Sequence, residues 1–297
     1  MRRQRIKRIL NIFYQKIPFK RQFFTLIKHY FVLPKAIYQH LYFKGKFKVA
    51  VDGKSFYLIH YGYEVENNIF WQGLKGKDWE GASMVLWMEL CESSRCIVDI
   101  GANTGVYSLV AKTLNPNAQV YAFEPVERIF NKAVRNCEVN HYDIHCIQKA
   151  VSSYDGKATI YDPGTEHVYS VTLGQNLNPS DVAVTEVEVE TIKMNTFIET
   201  CGEIPPIDLM KIDVETKETE VLEGMGHYLS RLRPNMLIEI LSNEVGAKIE
   251  SLVRGMGYLY FNIDETKGPR IQARITKSDH YNYLLCREED AFKIGLG

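Results

Sequence analysis

Apolar positions along this chain follow two rhythms, and from Arg95 onward they alternate in a regular way. Residues 95–100 and 118–123 are short, nearly continuous apolar runs that read as buried strands. Each is followed by apolar positions at helical spacing. The first helix shows Val106, Leu109 and Val110 and stops at Asn115-Pro116; the second carries Ile129, Phe130, Ala133, Val134 and Cys137 on one stripe. A third strand covers about 144–149. A fourth spans Ile207 to Val214 with a helix from about Lys217 to Gly224, and a fifth spans Met236 to Leu241 with a helix over 243–256. Tyr258 to Ile263 and Tyr281 to Cys286 finish the set. Their connection is too short and polar for a comfortable parallel crossover, so a hairpin is expected at that edge. The pattern predicts an α/β fold, a mostly parallel sheet with one antiparallel edge strand.

Two regions break the rhythm. Lys157 to Tyr161 and Val182 to Ile192 read as strands around a polar loop containing Gly164, Gly174, Asn176, Asn178 and Pro179. This predicts a β insertion over about 155–195 whose loop lies over the carboxyl edge of the sheet. Toward the N-terminus, Trp79 to Glu92 reads as a helix with Met84, Trp87, Met88 and Cys91 on one face. Phe47 to Ile59 reads as a hairpin around Asp52-Gly53. Residues 1–45 look helical. The expected division is an appendage over 1–78 and a main domain over 79–297.

Composition is that of an ordinary globular protein of 297 residues, long enough for one substantial core. Charge changes the picture more. The zero net charge hides 13 Lys/Arg and no acid in residues 1–50, against 23 bases and 36 acids in the remainder. Ile6, Ile9, Leu10, Phe13 and Ile17 share a helical face ringed by Arg2, Arg3, Arg5, Lys7 and Arg8. Residues 1–20 are therefore expected either to lie on an anionic membrane surface or to form a solvated helix that caps the domain or docks a partner. No apolar stretch approaches the ~18–20 residues that span a bilayer, and no signal peptide is evident. The six cysteines form no C-x-x-C pair and suggest reduced thiols in a cytoplasmic protein, peripheral at most to the inner membrane face. The strongly acidic remainder argues against a nucleic-acid groove. Oligomeric state leaves no signature.

The chemistry concentrates in Arg95–Gly105 and in Val120-Tyr-Ala-Phe-Glu-Pro125. A strand ending in Asp99, a loop bounded by Gly101 and Gly105, a helix, and a second strand ending in Glu124 form the usual nucleoside site of an α/β sheet. Gly101, Ala102, Asn103, Thr104, Gly105 and Tyr107 would contact the ligand. Glu124 is placed to accept hydrogen bonds from the ribose hydroxyls, with Pro125 beside it. Ala150 and Val151, just past strand three, would line the adenine or else serve as core. Asp99 before the loop and Asp213 at the end of strand four decide which nucleoside fits. At about 4 Å and an effective dielectric near 20, each carboxylate would cost on the order of 4 kcal/mol against a phosphate and gain as much with a cation. The loop is also G-x-x-x-G, short of the G-x-G-x-x-G dinucleotide fingerprint. S-adenosylmethionine is therefore preferred over NAD(P), whose oxidoreductases are the second reading; a non-catalytic membrane-surface or scaffold module is the third.

The same residues resemble the FkbM-type methyltransferases. D-I-G-A-N-T-G, F-E-P and especially Lys211-Ile-Asp-Val-Glu215 are similar to that family's D-x-G-A-N-x-G and K-I-D-V-E-G. The likeness runs from about Trp79 to Cys286. It implies a seven-stranded class I methyltransferase fold, an adenosylmethionine donor and transfer to oxygen. The implied acceptors are hydroxyls of sugars or polyketide-like natural products, in many members within bacterial surface-polysaccharide synthesis. Glu80 matches a Trp-Glu pair common before the first family helix and would reach the donor's edge; a helix N-terminal acid is the alternative. Two positions depart from the pattern: Thr216 stands where the family usually has glycine, and Met194-Asn195 where it often has Leu-Asp.

Transfer to a hydroxyl needs a base within hydrogen-bond reach. Asp213, Glu215, Glu239 and His167 are the candidates. Asp213 is the first choice, as a donor contact or as the base. Glu215 shares its parity along strand four, and Glu239 ends strand five with Lys211 as a possible partner. His167 sits in the insertion. Asp213, Glu215 and Glu239 together could hold Mg²⁺, although no metal-binding spacing compels it.

Overall fold

A computed structural model describes residues 17–162, 172–173 and 185–296. The central sheet is built as the alternation predicts. Cys96–Ile100 (β3) is buried at every position, as a strand covered on both faces should be. It leads through Val106–Leu114 (named α5 below) to Gln119–Phe123 (β4), then through Glu127–Glu138 (α6) to Ile144–Ile147 (β5). Leu209–Ile212 (β10), Glu218–Met225 (α8), Asn235–Glu239 (β11) and Asn243–Leu252 (α10) follow the same plan. Tyr258–Asp264 (β12), Gly268–Gln272 (β13) and Asn282–Arg287 (β14) close the sheet.

The order in space is β13-β12-β14-β11-β10-β3-β4-β5. β5, β4, β3, β10 and β11 pair in parallel, while β14 runs antiparallel to both β11 and β12. All seven expected strands are present, in the order of a class I methyltransferase sheet. An eighth, β13, pairs antiparallel with β12 at the edge. From β3 the chain first builds outward to β4 and β5, then returns to add β10 on the other side. The carboxyl ends of β3 and β10 therefore flank a topological switch point, where open α/β sheets bind ligands.

Before this sheet come Lys20–Tyr30 (α1), Lys35–Tyr38 (α2), the hairpin Gly45–Val51 (β1) with Lys54–His60 (β2), Glu64–Gln72 (α3) and Gly81–Ser93 (α4). The hairpin turns at Asp52 and Gly53, both with positive φ, as its sequence predicts. Its buried side chains alternate, and Val49, Phe56 and Leu58 join Leu109 and Val110 of α5 in one apolar cluster. Helix α3 has no such legible stripe, because its inner positions include Glu66, Asn67 and Asn68.

The expected β insertion forms a separate sheet in the order β6-β9-β7-β8, from Ala150–Val151 (β6), Gly156–Asp162 (β7), Thr172–Leu173 (β8) and Thr185–Ile192 (β9). Most of its polar loop, including His167, lies outside the described residues, as do residues 1–16. Met194–Thr200 (α7), His227–Leu232 (α9) and Glu288–Lys293 (α11) complete the elements. All six cysteines are free thiols, four of them buried. No helix among the described residues is long and apolar enough to cross a membrane.

Candidate active site

A cavity of about 520 Å³ opens at the switch point. Of the residues singled out from sequence, Glu80, Asp99, Gly101, Ala102, Asn103, Thr104, Tyr107, Glu124, Pro125, Ala150, Val151, Asp213, Glu215 and Glu239 all line it. Gly105 does not; it begins α5 with φ +83. His167 cannot be placed.

Strand alternation brings these groups together. Asp99 has the parity of Ile97, and Lys211 and Glu239 have the parity of Leu209 and Leu237, all three of which belong to the apolar cluster shared with α5. In the β3–β10 register Asp99 pairs with Lys211. The backbone closes tightly beyond them. Gly101 and Ala102 both donate to the Phe123 carbonyl, and Asp213 N donates to the Ile100 carbonyl. A Cβ on Gly101 would lie 1.9 Å from the Asp213 carbonyl oxygen, and its φ is +77, so only glycine fits there.

The two strand-end acids differ in their engagement. Asp99 is 1% exposed; its Oδ2 accepts from Ser108 N at 3.1 Å and Oγ at 2.7 Å, at the start of α5. Its Oδ1 is buried with no partner among the described residues, and burial raises its pKa. Glu124 uses both oxygens on the backbone, accepting from Val126 N at 2.9 Å and Asn103 N at 3.1 Å. Burial still pushes its carboxyl up to about 7, against the pull of those two bonds. The sequence placed this carboxylate toward the ribose hydroxyls; in the fold it also clasps the glycine loop, leaving its remaining lone pairs for a ligand.

Lys211 does not partner Glu239 as expected. Its ammonium donates to Asp213 Oδ2 at 2.7 Å and sits 4.6 Å from the Tyr107 ring centroid. Burial works against that charge, but the carboxylates of Asp213, Glu80 and Asp99 outweigh it and raise the pKa. Tyr107 in turn donates to Glu80. Glu239 is left with Oε2 unpartnered among the described residues. Burial, then the negative charges of Asp213 and Glu215, push its carboxyl up to about 9.

Strand β10 ends at Ile212, so parity along it cannot place Glu215. A turn does so instead, with φ +53 at Glu215 and +79 at Thr216. Buried Glu218, which the sequence did not single out, holds this turn by accepting from Thr216 N at 3.1 Å and Val214 N at 3.4 Å. Also unforeseen is the share of the N-terminal elements. Glu64, Val65 and Asn68 of α3, with Asp78, line the same cavity. Tyr38 OH shares its one proton between Asp78 Oδ2 at 2.7 Å and Asn68 Oδ1 at 3.0 Å, fixing that side. Such a contribution carries no motif, because it depends on a contact between segments distant in sequence.

Among the described residues, eight carboxylates and three lysines line the cavity. Each lysine is paired: Lys149 with Glu190, Lys211 with Asp213 and Lys217 with Glu220. Such a site suits a cationic or neutral guest and disfavours a pyrophosphate. Although three of the carboxylates are Asp213, Glu215 and Glu239, no group of three or more His, Cys, Asp or Glu among the described residues is arranged to hold a metal ion.

Strand order and an acidic switch-point cavity together define a class I methyltransferase. The chain belongs to the FkbM methyltransferase domain family, whose model matches residues 99–260. It is 26% identical over 180 residues to Methyltransferase 1 of Beauveria bassiana, covering 54% of this chain and 71% of that protein. It is 30% identical to the 31-O-demethyl-FK506 methyltransferase FkbM of Streptomyces tacrolimicus, over 43% of this chain and 58% of that one. With the hexuronic acid methyltransferase AglP of Haloferax volcanii it shares 26% identity, over 48% of this chain and 55% of the relative.

Proposed function

We propose that this protein is an O-methyltransferase that uses S-adenosylmethionine to methylate a hydroxyl of a sugar or a related natural product. The observation that carries the reading is the meeting of Asp99, Glu124 and Asp213 at one cavity. The donor fits the residues present: Gly101, Ala102 and Asn103 line the cavity, and Asp99 Oδ1 is an unsatisfied acceptor. Asp99 and Asp213 would hold its cationic end, Glu124 the ribose, and Ala150 and Val151 the adenine. Adenosylmethionine, when bound, supplies a methyl group already activated on a sulfonium.

What remains for the chain is alignment, worth up to about 7–11 kcal/mol, and removal of the hydroxyl proton. Glu239 is the best-placed base. Its carboxyl has an unpartnered oxygen, whereas Asp213 Oδ2 is occupied by Lys211. Glu64, Asn68 and Asp78 offer polar contacts for an acceptor. Both the 31-O-demethyl-FK506 and the hexuronic acid relatives support an oxygen-rich acceptor. The absence of an unpaired lysine among the described lining residues favours a neutral sugar over a uronate.

An adenosylhomocysteine-release assay on matched neutral and uronate glycosides tests this. Release with the neutral member, at least about tenfold faster, is the expected result. Adenosylhomocysteine failing to bind while NADP⁺ binds tightly would overturn the donor assignment; faster release with the uronate would overturn the acceptor charge alone.

A further inference from the structure

Helix α1 is apolar on two sides. Inward, Phe24 is 4% exposed with its ring centroid 5.7 Å from that of Trp71, and Ile27 packs against the same core. Phe19 lies just before the helix, and Phe23, Leu26 and Tyr30 recur outward at intervals of three and four, which is one helical face. Their exposures are 75, 59, 57 and 69%. Phe31, Val32 and Ile37 extend the exposed apolar set beyond the helix, each at least half exposed. A solvated capping helix would be polar on that side.

We propose that residues 19–37 form a membrane-docking face that seats on anionic phospholipid. Charge identifies the occupant. Residues 1–50 carry 13 Lys/Arg and no Asp or Glu; on α1 Arg21 and Lys28 turn inward to the Lys46 and Phe70 carbonyls, so the charge comes from the rest of the segment. An exposed aromatic face within a strongly basic, acid-free segment suits the headgroup boundary of an anionic bilayer. Self-association through this face would oppose like charges, and folding residues 1–16 over it would add six more Lys/Arg. The expected contact at residues 1–20 is thereby extended to α1 and the segment after it.

The location has a consequence for the reaction, which rests on the methyltransferase reading. Helix α1 packs on α3, where Lys28 Nζ donates to the Phe70 carbonyl, and α3 supplies Glu64 and Asn68 to the cavity wall. The lipid surface would lie one helix away from the acceptor contacts, suited to an acceptor held on a lipid.

Co-sedimentation of the full chain with phosphatidylcholine vesicles, with and without about one third phosphatidylglycerol, tests the docking face. The protein should pellet with the anionic vesicles only. The triple variant Phe23→Ser, Leu26→Ser, Phe31→Ser should lose about tenfold or more in partitioning, with an unchanged thermal midpoint and unchanged adenosylhomocysteine affinity. A variant that sediments like wild type overturns the proposal, as does a wild type that ignores anionic vesicles. A wild-type dimer that the triple variant converts to monomer would assign the face to a second copy. Sedimentation and adenosylhomocysteine binding are separate readouts, so failure of the docking face and failure of the methyltransferase reading are distinguishable.

Discussion

One part of the cavity wall, from residues 99 to 126, is the more finished; the parts drawn from residues 64–80 and 213–239 are less so. In the first part the buried acids are tied down by the backbone: Glu124 by Asn103 and Val126, Asp99 by Ser108. In the second, the negative charges of Asp213 and Glu215 bear on Glu239. Glu239 keeps an unpartnered oxygen, as Asp99 does, and Glu215 and Thr216 hold positive φ in succession, where the first part has the single such residue Asn103. A preorganised wall suits a ligand that is the same in every turnover. Unsatisfied acids and backbone strain suit the place where a proton moves and an acceptor is chosen.

The sharpest way to break this contrast is Gly101→Ala. Its Cβ would meet the Asp213 carbonyl at 1.9 Å, so β10 and the glycine loop must separate. Adenosylhomocysteine affinity should fall about 100-fold or more, with a stability loss of about 2–5 kcal/mol. Gly105→Ala is the control, because there the new Cβ meets only Ala133 at 3.6 Å and the penalty is that of positive φ, about 1–2 kcal/mol. Equal effects in isothermal titration and thermal melts would mean that the two glycines serve the loop alike and that the close approach to Asp213 is incidental.

Glu239→Gln tests the unfinished part. As a base, Glu239 should account for about 10²–10⁴ in kcat, with adenosylhomocysteine affinity within about twofold of wild type. Its carboxyl is raised to about 9 in the fold, so two pH trends follow over the same window. The free-enzyme kcat/KM should climb as pH rises toward about 9. Stability moves the other way: it is fully present below the ordinary carboxylate range and is lost as pH rises through the folded value. The glutamine variant should flatten both limbs. A kcat/KM profile that keeps its slope in the variant would move the base elsewhere, with Asp213 or His167 next in line.

These two sides were unequally legible in the sequence for the same physical reason. Asp99, Gly101 and Glu124 lie within about 25 residues, on strands whose continuous apolar runs fix their direction and parity. Local pattern suffices there. Asn68 and Asp78 meet the cavity only because α3 packs beside it, and α3 hides its inward face behind Glu66, Asn67 and Asn68. Strand β13 was missed because Gly268-Pro269 reads as a turn and its last three residues are exposed. The seven residues of α7 are too few to show a period. Lys211 bonds Asp213 and not its possible partner Glu239, because sequence gives the strand register but not which acid lies within reach.

Thr216→Gly carries the smallest expected effect, and it probes the point at which this chain departs from its family. A β-branched residue at φ +79 is strained by about 1–2 kcal/mol, which glycine would relieve. Glycine also makes the unfolded chain more flexible, which returns about 0.5–1 kcal/mol of that gain. The bonds from Glu218 to the turn use backbone N–H groups and survive the change. The net expectation is a rise in the thermal midpoint of about 1–3 °C with kcat within about twofold. A midpoint that falls, together with a raised acceptor KM and unchanged adenosylhomocysteine affinity, would show that the threonine side chain contributes a contact worth more than its strain. The turn would then belong to acceptor selection, and the contrast between the two parts of the wall would sharpen to a single residue.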